Sequence, residues 1–377
     1  MNSSLSVVRV RAILDGWSQR NVVQIIVELG DDFPDYFDPQ VDAWARNGGW
    51  TEGFWPGILW QLYAHSKDRK LLGWARYYTR LLTERKSHFT DHDLGFLYDH
   101  SAVLEHALTG DNEVVPEALA AAGRLADRFN PAGCFIRAHG ALDDPERAGY
   151  AIIDTAMNLH LLFWAHALTG EERFYRVAHE TASTIAREYV RSDGSTYQVV
   201  WFNPATGAVE QKGTLQGCCP ESSWSRGQAW AIYGFAQIYR ATGEASYRDE
   251  AWAVARYFLH HVPEDGVVPY DFLDPDVPAA PKDTSAQAIA AAGLLALADL
   301  STGQERRFLL AGAERLLAPL CDGYLAPPHP VPGRSRGLLR GGCYFLARGR
   351  GVDSELMFGD YYLVEALVRY LAFQAWA

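Results

Sequence analysis

The sequence predicts an all-α fold in which the whole chain, residues 1–377, forms one (α/α)6 barrel, a closed double layer of six helical hairpins. Three observations predict this fold. Helical runs end repeatedly in the same short turn, apolar helices alternate with amphipathic ones, and six helices of each kind can be identified. Hairpins that each leave an apolar face exposed must stack to bury it, and a closed ring leaves no open end.

The recurring turn is a Thr-Gly pair followed by a polar residue. Glycine readily adopts the left-handed conformation that ends a helix, and the acidic or amide residue after it favours the start of the next helix. A degenerate version, His65-Ser66-Lys67-Asp68, follows the run GFWPGILWQLYA. The four full copies are Thr109-Gly110-Asp111, Thr169-Gly170-Glu171, Thr242-Gly243-Glu244 and Thr302-Gly303-Gln304.

Each turn separates an inner, apolar helix from an outer, amphipathic one. The predicted inner helices begin near Phe54, Leu94, Thr155, Gly227, Ser285 and Tyr361. The predicted outer helices begin near Asp68, Asp111, Glu171, Glu244 and Gln304, and the sixth is the N-terminal segment at residues 7–28. An open α-solenoid is the alternative architecture, but solenoid repeats are normally more regular than the spacing found here.

Long segments rich in Gly, Pro and aromatic residues connect each outer helix to the next inner one. Residues 127–153 and 191–224 are examples, and Val199-Val200-Trp201-Phe202 in the second is a candidate short strand. Loops of this length in a compact domain usually carry function. We therefore expect the loops at one rim to surround a binding site.

Composition excludes several classes of partner. A formal net charge of −12 without a clustered basic segment disfavours nucleic acid and anionic membrane surfaces. The N-terminus lacks the apolar run of a signal peptide and no stretch is long enough to span a membrane, so we expect a cytoplasmic protein. Five cysteines show no zinc spacing, and no glycine-rich phosphate loop follows a strand, so no metal and no cofactor is expected.

Strict alternation places the starts of all inner helices at one end of the barrel. Carboxylates, aromatic rings and one Arg therefore converge at the positive ends of six helix dipoles, where an anionic ligand is favoured. The converging segments are residues 50–55, Asp91-His92-Asp93, Ile152-Ile153-Asp154, residues 223–226, Lys282-Asp283-Thr284 and Phe358-Gly359-Asp360.

These aspartates have a structural interpretation as well as a catalytic one. Aspartate is among the best N-cap residues, and Asp93, Asp154, Asp283 and Asp360 each precede a helical run. Spacing alone does not select any two of the four. A metal site at Asp91-His92-Asp93 is disfavoured, because no second cluster with metal-ligand spacing accompanies it.

The chain resembles the bacterial unsaturated glucuronyl hydrolases of glycoside hydrolase family 88, which have an (α/α)6 barrel. The resemblance covers nearly the whole chain in order. It is most specific in the segments DLGFLY, IID and RGQAW. The matching stretches are WTEGFWPGILW at 50–60, HDLGFLY at 92–98, IIDTAMNLHLLFWA at 152–165, SWSRGQAWAIYGFA at 223–236, VPEDGVVPYDF at 262–272, DTSAQAIAAAGLL at 283–295 and FGDYYLVEAL at 358–367.

The resemblance implies removal of a 4,5-unsaturated uronic acid from the non-reducing end of lyase-generated oligosaccharides, by hydration of the vinyl ether. It implies that Asp154 is the acid/base catalyst and that Asp93 is its essential partner on the sugar hydroxyls. Apolar neighbours would raise the pKa of Asp154 and a helix N-terminus would lower it. The implied substrate-binding residues are Trp50, His92, Gln216, Arg226, Trp230, Gln198 and His139.

The resemblance is inexact at the rim. Gln198 stands where family members often have His, and His139 stands where Trp is common, so the substrate subsite is expected to differ. The C-terminal stretch ARGRGVDSELMFGD lacks the Ser- and Lys-containing motif of members that act on sulfated fragments, which favours unsulfated substrates. Arg348 and Arg350 in this stretch are candidates to meet an anion.

Three alternative functions remain open from the sequence. An unsaturated rhamnogalacturonyl hydrolase would share the fold and the chemistry. A sugar 2-epimerase on the same barrel would use histidines for proton transfer, whereas the residues converging here are mainly Asp, Trp and Arg. In a helical binding scaffold without catalysis, capping would explain the aspartates and packing would explain the rings, which is an equal alternative for Trp230.

Overall fold

The fold was analysed in a computed structural model that describes residues 5–84, 90–331 and 334–375. Fourteen α-helices occur in the described residues, and a π-helical turn, Ser18–Val22 or Asp99–Val103, joins the helices of two successive pairs. The helices are α1 (Val7–Trp17), α2 (Val23–Leu29), α3 (Phe54–Ser66), α4 (Arg69–Glu84), α5 (Leu94–Tyr98), α6 (Leu104–Thr109), α7 (Val115–Asp127), α8 (Thr155–Thr169), α9 (Glu172–Tyr189), α10 (Ser225–Thr242), α11 (Ala245–His260), α12 (Thr284–Asp299), α13 (Gly303–Gly323) and α14 (Met357–Ala375).

The inner helices form a closed ring. Helix α3 packs beside the α5–α6 segment, and α5, α8, α10, α12 and α14 follow as successive neighbours. Helix α14 then packs against α3 and closes the ring. The predicted all-α (α/α)6 barrel is therefore confirmed, and the open solenoid is wrong.

Burial distinguishes the two layers as the hydrophobic pattern predicts. The inner helix α12 buries every residue from Thr284 to Ala298. The outer helix α4 buries one stripe, with Leu71, Ala75, Tyr78 and Leu82 spaced three or four residues apart. Inner helices thus contact neighbours all round, while outer helices keep one face in solvent.

The predicted caps are correct at three of the four Thr-Gly turns. Gly110, Gly170 and Gly243 have φ near +73° and end their helices in the left-handed conformation. The fourth prediction is wrong, because α12 ends at Asp299 and Gly303 is the first residue of α13. In the degenerate turn, Lys67 takes the left-handed position.

The last inner helix begins at Met357 rather than near Tyr361. Strand residues run directly into this helix, and Met357 and Phe358 in its first turn are fully buried. The predicted starts of the other inner helices lie within two residues of the observed ones. Asp360 is consequently a residue of the first helical turn and does not precede the helix.

Nine short strands in the described part of the chain accompany the helices and build the rim. They are β1 (Pro34–Asp38), β2 (Ala43–Arg46), β3 (Phe129–Asn130), β4 (Phe135–Ile136), β5 (Tyr150–Ile152), β6 (Val199–Phe202), β7 (Val209–Gly213), β8 (Gly342–Phe345) and β9 (Arg350–Leu356). The antiparallel sheets have the orders β2-β1-β9-β8, β3-β4 and β5-β6-β7. The candidate strand at residues 199–202 is confirmed, and the sequence analysis predicted none of the other strands.

The two ends of the described chain meet in the barrel wall. The hydroxyl of Tyr370 in α14 donates to the carbonyl of Leu5 at 2.9 Å, and the Leu5 N–H donates to Glu314 in α13 at 3.0 Å. Among the described residues, no helix combines the length and the apolar character needed to cross a membrane.

Candidate active site

Four rim aspartates occupy comparable places on the inner helices, and their bonding separates them into two pairs. Asp283 caps α12, since its carboxylate accepts the Ser285 N–H at 3.2 Å. Asp360 accepts the backbone N–H groups of Leu338 and Leu339, each at 2.8 Å. The capping interpretation therefore holds for Asp283, and the Asp360 carboxylate also binds the protein backbone.

Neither Asp93 nor Asp154 caps its helix with its side chain, and neither carboxylate is saturated by backbone N–H groups as that of Asp360 is. The Asp154 Oδ2 atom is buried and accepts no hydrogen bond from the part of the chain that the structure describes. Asp93 is 7% exposed, and its Oδ1 accepts the Asn158 side-chain N–H at 3.2 Å. These two carboxyl groups are consequently available to a ligand in a way that Asp283 and Asp360 are not.

Asn158 joins the two aspartates. Its Nδ2 donates to Asp93 Oδ1 and to the Asp154 carbonyl, both at 3.2 Å, and its Oδ1 accepts the Phe96 N–H at 3.1 Å. Gly95 permits this contact, since a Cβ there would lie 2.5 Å from the Asn158 Cα. The glycine in the DLGFLY motif thus lets α5 approach α8 closely enough for one amide to join the Asp93 carboxylate to the Asp154 backbone carbonyl.

Burial sets the protonation of this pair. Loss of solvation raises the pKa of Asp154 to about 6, against the opposing charge of Arg226 and the indole N–H of Trp230. Burial raises the pKa of Asp93 well above its ordinary value, and the carboxylates of Asp91 and Asp154 raise it further. The sequence suggested opposed influences on the pKa of Asp154, and loss of solvation is the larger one.

The wall beside Asp93 consists of imidazole rings. His92 is fully buried, its Nδ1 lies 2.9 Å from the Thr155 hydroxyl, and its Nε2 lies 3.3 Å from Asp93 Oδ1. Burial lowers the pKa of His92 well below its ordinary value, so the ring is neutral at physiological pH. His139 packs edge-to-face against His92 at 5.7 Å and stacks on Tyr150 at 5.6 Å.

Asp91 has a local structural role. Its carboxylate accepts the N–H of Asp93 at 3.1 Å, which fixes the turn before α5. No three potential metal ligands among His, Cys, Asp and Glu come together within the described ranges.

Two tryptophans contribute to the aromatic floor. Trp50 is partly exposed, donates its indole N–H to the Tyr344 hydroxyl at 2.5 Å, and packs on Phe358 at 5.3 Å. Trp230 is fully buried against Phe96 at 4.9 Å, as the packing alternative requires. Its indole N–H nevertheless lies near enough to Asp154 to lower the pKa, although neither atom completes a hydrogen bond among the described residues.

Arg226 lies beneath the site in an ion pair. Its Nη1 donates to Asp283 at 2.6 Å and to the Cys343 carbonyl at 2.7 Å, and its Nη2 donates to the Tyr344 carbonyl at 2.5 Å. The side chain is 2% exposed. The structure therefore shows Arg226 linking α10 to α12 and β8 and placing positive charge near Asp154, while direct contact with a sugar stays a prediction.

Gln198 and Gln216 are brought together in the rim turn that follows β7. The Gln198 Oε1 accepts from the Thr214 hydroxyl and from the N–H groups of Leu215 and Gln216, at 2.7, 2.8 and 2.9 Å. The Gln198 Nε2 donates to Gln216 Oε1 at 2.7 Å, and the Gln216 amide donates to the Tyr344 carbonyl at 3.1 Å. Gln198 thereby fixes the turn that positions Gln216.

Arg348 and Arg350, the two candidate anion contacts near the C-terminus, differ in their contacts within the protein. Arg350 pairs with Asp35 at 2.8 Å and lies over the Tyr344 ring at 4.2 Å. Arg348 lies over the Phe345 ring at 4.7 Å. Arg350 is thus already paired within the protein.

Sequence reasoning missed two residues that organise the site. Asn158 follows Asp154 by four positions on α8, and this helical spacing was the signal that could have identified it. Arg128 is buried and donates to the carbonyls of Thr90, Arg137, Ala138 and Gly140. Its partners belong to two separate loops, so spacing in the sequence offers no comparable signal.

Comparison with known proteins agrees with this geometry. The model of Glycosyl Hydrolase Family 88 matches residues 25–296. Unsaturated glucuronyl hydrolase of Bacillus sp. (strain GL1) is 39% identical over 349 residues, covering 91% of this chain and 92% of that protein. Unsaturated chondroitin disaccharide hydrolase of Streptococcus agalactiae serotype III is 35% identical over 329 residues, covering 86% and 82%.

The fold is equally similar to a solved structure. The crystal structure of the unsaturated glucuronyl hydrolase from Bacillus sp. GL1, described as responsible for the degradation of glycosaminoglycan, superposes with a TM-score of 0.90 at 36% identity. The similarity covers 97% of this chain and 96% of that one. The helical ring and the rim loops are thus shared along nearly the full length.

Proposed function

The chain belongs to glycosyl hydrolase family 88, and we propose that it is an unsaturated glucuronyl hydrolase, acting as one catalytic domain over residues 1–377. Its substrates are oligosaccharides with a 4,5-unsaturated uronic acid at the non-reducing end. The family membership disfavours the epimerase and the non-catalytic scaffold.

The observation that carries the proposed mechanism is the partly buried Asp154 side chain, whose Oδ2 atom is buried and whose pKa is raised by loss of solvation to about 6. A group with that pKa can donate a proton near neutral pH and take one back. Asp154 protonates C4 of the unsaturated sugar, and the ring oxygen shares the positive charge that develops at C5. Water adds to C5 and its proton returns to Asp154, after which the hemiketal opens and the glycosidic bond at C1 is released.

Asp93 fixes the sugar beside the proton donor in this proposal. Its Oδ1 is held by Asn158, which leaves Oδ2 for a sugar hydroxyl. Since the glycosidic bond is not displaced directly, the separation rule for the two carboxyl groups of ordinary glycosidases does not apply. His92, His139, Trp50 and Trp230 would form the walls of the pocket.

The remaining polar residues act at the opposite wall. Gln216 contacts the sugar from the turn that Gln198 holds, and Arg226 supplies positive charge through its ion pair with Asp283. The substrate carboxylate is favoured here because helix N-termini and Arg226 surround it. The absence of the Ser- and Lys-containing motif favours unsulfated substrates.

The direct test follows the ultraviolet absorbance of the conjugated C4=C5 bond. Incubation with unsaturated disaccharides derived from hyaluronan, chondroitin, heparin and pectin is expected to remove that absorbance for at least one glucuronyl substrate. A preference for the pectin-derived substrate would assign the protein to rhamnogalacturonyl hydrolysis. Stable absorbance with every substrate would refute hydration of the vinyl ether.

A further inference from the structure

Two adjacent cysteines lie on the rim beside the substrate-binding turn. Cys218 and Cys219 are both exposed, and their Sγ atoms are 3.9 Å apart. They follow Gln216 by two and three residues. Since the catalytic mechanism uses neither thiol, their proximity to Gln216 calls for a separate explanation.

The backbone around the two cysteines is anchored on both sides. The Gly217 N–H donates to the Thr214 hydroxyl at 2.7 Å, and the Cys218 N–H donates to the Asp271 carboxylate at 3.1 Å. The Ser222 N–H donates to the Cys219 carbonyl at 2.9 Å. A rotation of the peptide between the cysteines therefore acts directly on these anchors and on the turn that holds Gln216.

We propose that Cys218 and Cys219 form a reversible dithiol–disulfide site that changes the position of Gln216 and thereby substrate affinity. Bonding requires the two sulfurs to move from 3.9 Å to about 2.05 Å. Adjacent Cα atoms are only about 3.8 Å apart, closer than in ordinary disulfides, so the ring is strained. Strained and exposed disulfides are easily reduced, which suits a reversible modification and does not suit a structural crosslink.

The oxidant is a low-molecular-weight disulfide. The Cys219 sulfur attacks it as a thiolate and releases one thiolate. Partial loss of solvation and the nearby Asp271 carboxylate raise the pKa of Cys218 to about 12, so Cys218 is still protonated at this stage. The released thiolate takes the proton of Cys218 as the Cys218 sulfur attacks the mixed disulfide, which releases the second thiolate. Two protons and two electrons leave the dithiol, and the small disulfide is reduced to two thiols.

The proposed dithiol–disulfide site rests on the proposed function only for its effect on substrate affinity.

To test the site, the full chain would be reduced with dithiothreitol and then equilibrated with oxidised glutathione. Peptide mass mapping should show loss of two hydrogens in the Cys218–Cys219 peptide, and hydrogen exchange at residues 214–219 should change. KM for an unsaturated disaccharide should rise about threefold to tenfold, the effect of one hydrogen bond, and dithiothreitol should reverse it.

Two variants serve as controls. Cys218→Ser/Cys219→Ser should remove the response, and Cys134→Ser, at a partly exposed cysteine outside the turn, should retain it. Glutathione adducts without an internal disulfide would overturn the proposal, and so would an internal disulfide that leaves hydrogen exchange and KM unchanged. If the reduced protein is inactive on every substrate, the proposed function fails, while mass and hydrogen exchange still decide whether the site is a switch.

Discussion

The two pairs of aspartates at the barrel rim have similar positions and opposite bonding. Asp283 holds Arg226 at 2.6 Å and Asp360 accepts two backbone N–H groups, so both carboxylates are engaged by the protein. The buried Oδ2 atom of Asp154 has no hydrogen-bond partner in the described ranges, and Asp93 Oδ1 accepts a hydrogen bond from the Asn158 side chain. Burial raises the pKa of Asp360 as well as those of Asp93 and Asp154, so the two pairs differ in their bonding partners and not in burial alone. The protein itself engages Asp283 and Asp360, and we propose that a ligand engages Asp93 and Asp154.

The largest expected effect comes from removing the proton donor. Asp154→Asn preserves the size of the side chain but cannot donate a carboxyl proton, so we expect kcat to fall by about 10²- to 10⁴-fold. Asp93→Asn should also lose most activity. Loss of chromophore absorbance measures the rate, and circular dichroism checks the fold. Near-normal turnover in Asp154→Asn would place the proton donor elsewhere.

Substitution of Asp283, from the engaged pair, should lower the free energy of unfolding. Asp283→Asn leaves the buried Arg226 guanidinium without its counter-ion, which typically costs about 3–5 kcal/mol. Urea denaturation of this variant beside Asp154→Asn gives the comparison directly. A free energy of unfolding equal to that of the wild type would show that the Arg226–Asp283 pair does not support the barrel.

Substitution of Asp154, from the other pair, should change the free energy of unfolding in the opposite direction. Because the pKa of Asp154 rises from 3.8 to about 6 on folding, the contribution of Asp154 to stability falls as pH rises from about 4 to 6. Above that window the ionised carboxylate costs up to about 3 kcal/mol. Asp154→Asn should therefore unfold at a higher temperature than the wild type at pH 7.5, with the difference disappearing near pH 4. Equal melting at both pH values would contradict unfavourable burial.

The smallest effect concerns Asn158, which joins the Asp93 carboxylate to the Asp154 backbone carbonyl. Asn158→Ala removes the hydrogen bond that lowers the pKa of Asp93 and leaves the buried Phe96 N–H without its acceptor, at a cost of about 1–3 kcal/mol. Activity should fall about tenfold, and the pH profile should shift upward as the Asp93 pKa rises. A loss of stability with an unchanged pH profile would make Asn158 purely structural.

The fold could be predicted because its determinants are local. Helical periodicity and the turns at Gly110, Gly170 and Gly243 are contained within short windows of sequence. The early start of α14 at Met357 could not be predicted, because its first turn is buried by the strands that precede it. The two- to seven-residue strands likewise depend on partners distant in the sequence.

The site could be predicted only in part from the residues themselves. From the sequence alone, every rim aspartate is equally consistent with a helix cap. The aspartates engaged by the protein are distinguished from the others by distant contacts, such as those of Leu338 and Leu339 with Asp360. The family resemblance supplied the choice of Asp93 and Asp154. It did not supply the role of Gln198, whose acceptors and donors are fixed by the fold of the turn at residues 214–216.

The pH dependence of kcat/KM tests most directly whether Asp154, whose pKa is raised by loss of solvation, is the proton donor. Since Asp93 and Asp154 influence each other, the apparent pKa belongs to the pair. We expect kcat/KM to be high below an apparent pKa near 6 and to fall about tenfold for each pH unit above it, as the donor loses its proton. A profile that stays flat from pH 5 to about pH 8 would contradict the assignment.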